Sequence, residues 1–198
     1  METAILVRHG ESELSVRGWT NGDPRVSCAL TETGIAQARR LRELLAGDAI
    51  DLCVTSEFER VRQTADVALA GRDLPQLVLA ELNDVRFGSF EGKPLADYRA
   101  WAGVKEPTVE APGGGESRAA TVVRYVRAYQ TILARRERTI LVVTHGLPIR
   151  YVLNALEERD PAPIVDQVPY AEPYRLTRPD LERAVERLER WAAAPAWH

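Results

Sequence analysis

Two histidines are set in the same local pattern. His9 follows Ala4-Ile5-Leu6-Val7-Arg8 and precedes Gly10, and His145 follows Thr139-Ile140-Leu141-Val142-Val143-Thr144 and precedes Gly146. Each apolar run reads as a buried parallel strand, which puts each imidazole at a strand's carboxyl end. In an open α/β sheet, ligands bind beyond those ends. A helix starting there adds unpaired backbone N–H groups that favour an anion. With Arg8 beside His9, the arrangement points to a phosphate site. A neutral imidazole nitrogen can attack phosphorus in line, provided fixed cations and N–H groups surround the three equatorial oxygens.

The elements that would hold these residues alternate in type. Strand one covers about 3–8 and is followed by a polar stretch from Gly10 to Ala29, too long for an ordinary connection and therefore expected to carry function. Thr31 caps a helix with Ile35, Ala38, Leu41 and Leu44-Leu45 on its apolar face, closed by Gly47. A second unit has a strand near 50–55 and a helix near 57–70, with Phe58, Val61, Ala65 and Ala68-Leu69 at helical spacing. Gln76 to Ala80 reads as a further strand. From Glu81 to Ser117 the chain is irregular and rich in Gly and Pro. A helix over about 117–136 leads into the strand ending at His145, and a helix begins at Leu147-Pro148. Tyr174-Arg175-Leu176 reads as an edge strand, and Pro179 starts an amphipathic helix with Leu181, Val185, Leu188 and Trp191. The pattern predicts an α/β fold, a three-layer sandwich with a mostly parallel central sheet flanked by helices. One domain is expected over 1–198, with an irregular substrate-facing insertion at about 84–116.

Composition excludes several classes. At 198 residues, 45% hydrophobic and 28% charged, the chain can bury a full core. A net charge of −3 without a long single-sign block argues against a nucleic-acid partner. No run approaches the length of a membrane span, and Met1-Glu2-Thr3 passes directly into a strand, so neither a membrane partner nor export is expected. Cys28 and Cys53 have no metal or redox spacing and fit a reduced, cytoplasmic protein. No metal and no cofactor are expected. The terminal helix leaves monomer and homodimer equally open.

The run Leu6-Val7-Arg8-His9-Gly10-Glu11-Ser12 resembles the opening signature of the histidine phosphatase superfamily, the phosphoglycerate mutase-like proteins. The other landmarks follow in order: Leu30-Thr31-Glu32-Thr33-Gly34 with Gln37-Ala38, Ser56 through Arg60, Gln63-Thr64-Ala65, Phe87-Gly88 with Glu91-Gly92, Gly115-Glu116-Ser117, and Thr144-His145-Gly146 with Ile149-Arg150. So many signals in sequence order over residues 3–150 exceed chance. The resemblance implies His9 as nucleophile, Arg8 and Arg60 as phosphate-binding forks, and His145 as donor to a phosphate oxygen. Gly10 and Gly146 let the backbone come close to the ligand. The family's acid lies in a Leu-x-Glu motif. Here the matching stretch is Leu82-Asn83-Asp84, so Asp84 becomes the general acid and base, with Glu81 and Glu116 as fallbacks. Ser15 stands where the family often has asparagine, and Asn21-Gly22 match the loop that closes on phosphate.

A lone strand-end histidine is ordinarily a hydrogen-bonded core residue, and a lone strand-end arginine a solvated charge. The paired pattern with Arg60 outweighs those readings. Arg39, Arg40 and Arg62 remain helix-surface charges. Trp19, Phe87, Phe90, Tyr98 and Trp101 pin their irregular segments to the core rather than defining a substrate mouth. The expected function is a metal-independent phosphomonoesterase acting through a phosphohistidine on a small phosphorylated substrate. A phosphoglycerate mutase and a phosphate-ligand-binding pseudoenzyme are the alternatives. The span of about thirty residues between Asp84 and Gly115 favours hydrolysis, because family mutases carry a long insertion there.

Overall fold

A computed structural model describes residues 1–197. Its sheet contains β1 (Thr3–Arg8), β2 (Leu52–Thr55), β3 (Gln76–Val78), β4 (Thr139–Thr144) and β5 (Pro173–Thr177), in the order β3-β2-β4-β1-β5. All neighbours run parallel except β5, which pairs antiparallel with β1 at one edge. The Tyr174 segment is thus the expected edge strand. The Gln76 strand is shorter than its apolar run.

Alternation along each strand divides the core into two layers. Ile5, Val7, Cys53, Leu141 and Val143 face α2 (Glu32–Leu44) and α3 (Glu59–Ala68). Ala4, Leu6, Leu52, Val54, Ile140 and Val142 face α5 (Arg118–Leu133), α6 (Gly146–Leu156) and α7 (Arg178–Ala193). The result is the expected three-layer sandwich. Helix starts follow local chemistry: Thr31 accepts from Gly34 N at 3.0 Å, Ser117 caps α5, and Thr177 with Asp180 forms a capping box at α7.

Two stretches read as irregular contain helix. A single turn, α1 (Glu13–Val16), lies in the long connection after β1, and α4 (Leu95–Ala102) lies inside the 84–116 insertion. The insertion has its own small core of Val85, Phe87, Tyr98, Ala102 and Ala111. Pro94 and Gly103 flank α4 so closely that its eight residues show too little periodicity to stand out. Among the described residues, no helix is long and apolar enough to cross a membrane.

Candidate active site

The site follows from the pairing of β1 with β4. Arg8 lies opposite Thr144, and His9 N donates to Thr144 O at 2.9 Å, so the two following imidazoles meet with centroids 5.4 Å apart. The turn after β1 is pinned against α2 and α3. Gly10 N donates to Thr64 Oγ1, and a Cβ at Gly10 would sit 2.6 Å from the Gly34 carbonyl oxygen. Only glycine permits that approach.

Arg60 organises the pocket from α3. Its Nε donates to His9 Nε2 at 3.2 Å and its Nη1 to Asn21 Oδ1, while Nη2 reaches Asn21 O and His145 Nδ1, both at 3.2 Å. The guanidinium rests on the Phe58 ring and is 4% exposed. Asp84 Oδ2 lies 3.5 Å from both Arg60 Nη2 and His145 Nδ1. Asp84, in the Leu82-Asn83-Asp84 motif, therefore reaches Arg60 and His145 despite its shorter arm.

Hydrogen-bond partners assign the His9 tautomer. A carbonyl only accepts, so His9 Nδ1 carries a proton toward Gly10 O at 2.7 Å and leaves Nε2 with its lone pair. His145 Nδ1 faces both Arg60 Nη2, which donates, and Asp84 Oδ2, and its Nε2 faces Ser56 Oγ at 3.0 Å, so its surroundings accommodate either tautomer. Burial pushes both imidazoles well below the usual histidine value, and the charge on Arg60 adds to this, with Arg8 also acting on His9. Both rings are neutral at physiological pH.

Arg8 approaches from the other side. Its Nη1 donates to Val168 O at 2.6 Å, its guanidinium stacks 3.9 Å from the Tyr170 ring, and its Nε is buried without a partner among the described residues. The N-terminus of α6 opens at Gly146, beside Arg8. Around these groups lies a cavity of about 580 Å³ lined by Arg8, His9, Ser15, Asn21, Arg60, Asp84 and Gly146, among others. Ser15 lines it, but its hydroxyl is engaged with Ser12 in the first turn of α1. Gly22 is placed differently: its N–H is held by Glu91 Oε2, and a Cβ there would strike the Val85 carbonyl. It joins two loops rather than lining the cavity.

The fallback acids do other work. Glu116 is 4% exposed and pairs with Arg124 at 2.8 Å. Burial alone would raise its carboxyl, but the Arg124 hydrogen bonds and the charges of Arg124 and Arg86 hold it below the usual range. Arg124 in turn donates to the carbonyls of Glu81, Asn83 and Asp84, clamping the loop that carries Asp84. Glu81 contributes only that carbonyl. Among the described residues no group of three or more His, Cys, Asp or Glu side chains is arranged to hold a metal.

Two parts of the site escape sequence reasoning. Arg124 reads as one more charge on a helix; only its two-turn offset from Glu116 hints at the pair. The strap Pro163–Tyr170 closes the cavity opposite the insertion, held by Arg8 on Val168 O, Arg99 on Val165 O and Arg150 on the carbonyls of Asp166 and Gln167. Backbone carbonyls carry no residue signature. Phe87, Tyr98 and Trp19 line the cavity, and the first two are also buried in the insertion's core, so one set of rings serves both purposes.

Comparison with known proteins agrees with this geometry. Residues 4–193 match the model of the histidine phosphatase superfamily, branch 1. The chain is 38% identical over 149 residues to an adenosylcobalamin/alpha-ribazole phosphatase of Salmonella typhimurium, covering 71% of this chain and 72% of that protein. It is 33% identical over 178 residues to a 2,3-bisphosphoglycerate-dependent phosphoglycerate mutase of Azorhizobium caulinodans, covering 81% and 84%. The solved structure of a putative alpha-ribazole-5′-P phosphatase from Escherichia coli superposes with a TM-score of 0.76 at 29% identity, covering 89% of this chain and 90% of that one.

Proposed function

Because the chain belongs to the histidine phosphatase superfamily, branch 1, we propose that it hydrolyses a small phosphorylated metabolite through a phosphohistidine at His9. The observation that carries this is the His9 tautomer. Nδ1–H is bound to Gly10 O, so the Nε2 lone pair is directed at the cation that would hold phosphate.

In the first step Nε2 bonds to phosphorus and the ester P–O bond breaks. A protonated Asp84 gives its proton to the departing alkoxide. Arg8, through its free Nε, Arg60 and the α6 N-terminus hold the equatorial oxygens. His145 donates to an oxygen once its proton sits on Nδ1; Ser56 Oγ both donates and accepts, so it satisfies either tautomer. In the second step water loses a proton to Asp84, its oxygen bonds to phosphorus, and the P–N bond breaks to release phosphate. No step calls on a metal. Cys28 and Cys53, both free and buried, fit a cytosolic location.

Mutase activity is the second reading, kept open by the identity to phosphoglycerate mutases. The insertion favours hydrolysis, because its described part offers one eight-residue helix to cover an intermediate. The test is release of inorganic phosphate, with EDTA present, from alpha-ribazole 5′-phosphate, 3-phosphoglycerate and p-nitrophenyl phosphate by wild type and His9→Ala. Turnover and an acid-labile phosphoenzyme are expected in the wild type alone. Activity in His9→Ala removes the nucleophile. Phosphate passed to a second alcohol establishes the mutase, and tight phosphate binding without turnover establishes a binding protein.

A further inference from the structure

Arg118, on the cavity wall, forms no ion pair among the described residues. Arg118 opens α5 directly after the Gly115-Glu116-Ser117 motif and lines the cavity together with Tyr98 and Arg99. Its Nε is buried without a hydrogen-bond partner among the described residues, its Nη2 has a 3.5 Å contact to Pro163 O, and the neutral Tyr151 hydroxyl lies near the guanidinium. The Tyr98 ring lies 5.3 Å from the guanidinium carbon, and the Tyr98 hydroxyl, on a side chain 1% exposed, is likewise unpartnered. The nearby carboxylates are engaged elsewhere: Glu116 with Arg124, Asp84 with Arg60 and His145. Burial pushes the phenols of Tyr98, Tyr125 and Tyr151 up, so none of them supplies a negative charge at neutral pH.

A half-buried guanidinium with an idle Nε beside an idle hydroxyl is costly unless an acceptor fills it. Arg60 shows what a satisfied arginine of this cavity looks like, hydrogen-bonded at all three nitrogens, whereas the idle Nε of Arg8 faces the site where phosphate is expected. Arg118 has the planar fork that suits an oxyanion, and Tyr98 adds a third donor.

Resting on the phosphatase reading, we propose that Arg118 and the Tyr98 hydroxyl form a second oxyanion subsite in the catalytic cavity, which takes a carboxylate or second phosphoryl group on the leaving alcohol. The substrate is thereby anionic at both ends. Its body between them meets apolar walls that include Leu95, Leu147 and Val165.

The experiment uses phosphorylated hydroxy-acids of increasing length, each against its own amide, and alkanediol bisphosphates against the monophosphates. Wild type should favour the doubly anionic member by about tenfold or more in kcat/KM at the best-fitting length. Arg118→Gln should abolish the preference while p-nitrophenyl phosphate turnover stays unchanged, and Tyr98→Phe, which keeps the ring, should narrow it. A preference for bisphosphates alone names the second phosphoryl group, and one for the acids names the carboxylate. Wild type that treats every pair alike overturns the subsite, as does an Arg118→Gln enzyme that keeps the preference. If Arg118→Gln does not fold, wild type and Tyr98→Phe decide. Calorimetry of the same pairs on His9→Ala separates the two readings. Discrimination in binding by a protein whose wild type hydrolyses nothing keeps the subsite and discards the phosphatase, whereas hydrolysis without discrimination does the reverse.

Discussion

On one side of the cavity His9, Arg60, Asn21, Asp84 and His145 bind one another, so that, Arg8 Nε apart, the phosphate site is hydrogen-bonded before any ligand arrives. On the wall that the insertion and the start of α5 supply, Arg118 Nε and the Tyr98 hydroxyl are buried without a partner among the described residues. The first side is built at the carboxyl termini of two central strands in fixed register; the second is built by the 84–116 insertion, the start of α5 and the strap Pro163–Tyr170. Charge arranged in advance on rigid elements serves a reaction whose transition state is the same for every phosphomonoester. Unsatisfied donors on loops serve a group that differs from substrate to substrate. Chemistry and selectivity are therefore separable in this molecule, and perturbations should separate them.

The largest perturbation lies at the acid. Asp84→Asn preserves shape and removes the transferable proton, so kcat for an alkyl phosphate should fall about 10²- to 10⁴-fold. Turnover of p-nitrophenyl phosphate, whose leaving group needs little protonation, should fall far less. Steady-state kinetics on the two esters measure the gap; equal losses would show that Asp84 is not the leaving-group acid, and the phosphate site would lose its assigned division of labour.

A smaller effect of the same kind is expected one layer out. Arg124 holds the Glu81, Asn83 and Asp84 carbonyls and is itself held by Glu116. Removing Arg124 alone would leave a buried carboxylate with only Arg86 to compensate it, a loss that reaches about 3–5 kcal/mol for a broken buried pair. The double variant Arg124→Met with Glu116→Gln avoids this and isolates the loosened loop. Its kcat on alkyl phosphates should drop about tenfold, with KM little changed and a smaller drop on p-nitrophenyl phosphate. A uniform drop on both esters would mean the clamp supports the whole pocket rather than the acid.

The division between the two sides also explains what sequence reading reaches. The apolar runs before His9 and His145, the Thr31 cap and the Pro179 start are local signals, and local rules recover them. Asp84 was reachable because its motif is short and contiguous. Arg118 and Arg124 were not, because an arginine on a helix reads as solvated until the tertiary fold buries it against Tyr98 or Glu116. The strap was invisible for another reason. It is fastened through carbonyls of Val165, Asp166, Gln167 and Val168, which every residue possesses. Gly22 shows the opposite error: its motif position suggested a phosphate contact, while its missing side chain serves the packing of Val85 and Glu91.

The smallest effect concerns pH and sharpens the contrast once more. His9 and His145 are 3% and 0% exposed, and burial with the neighbouring arginines holds both well below the ordinary value. In the unfolded chain each titrates near about 6.5. Between that value and the lower folded one, the unfolded chain binds more protons, so stability is fully present above about pH 6.5 and is lost as pH falls through it. The slope is at most about 1.4 kcal/mol per pH unit for each histidine. Glu91 works in the opposite sense, because burial raises its carboxyl in the folded state and its protonation favours folding at lower pH. Urea unfolding of the wild type should therefore show a midpoint that falls from pH 7 to pH 5.5, and His9→Gln with His145→Gln should flatten that fall. A fall no smaller in the double variant than in the wild type would mean the imidazoles are not held neutral, and with that the His9 lone pair would lose its physical basis. Arg118 carries no proton that leaves in this window, so the preference for a doubly anionic ester should persist wherever the fold does, and the two sides of the cavity should respond to acid as independently as they are built.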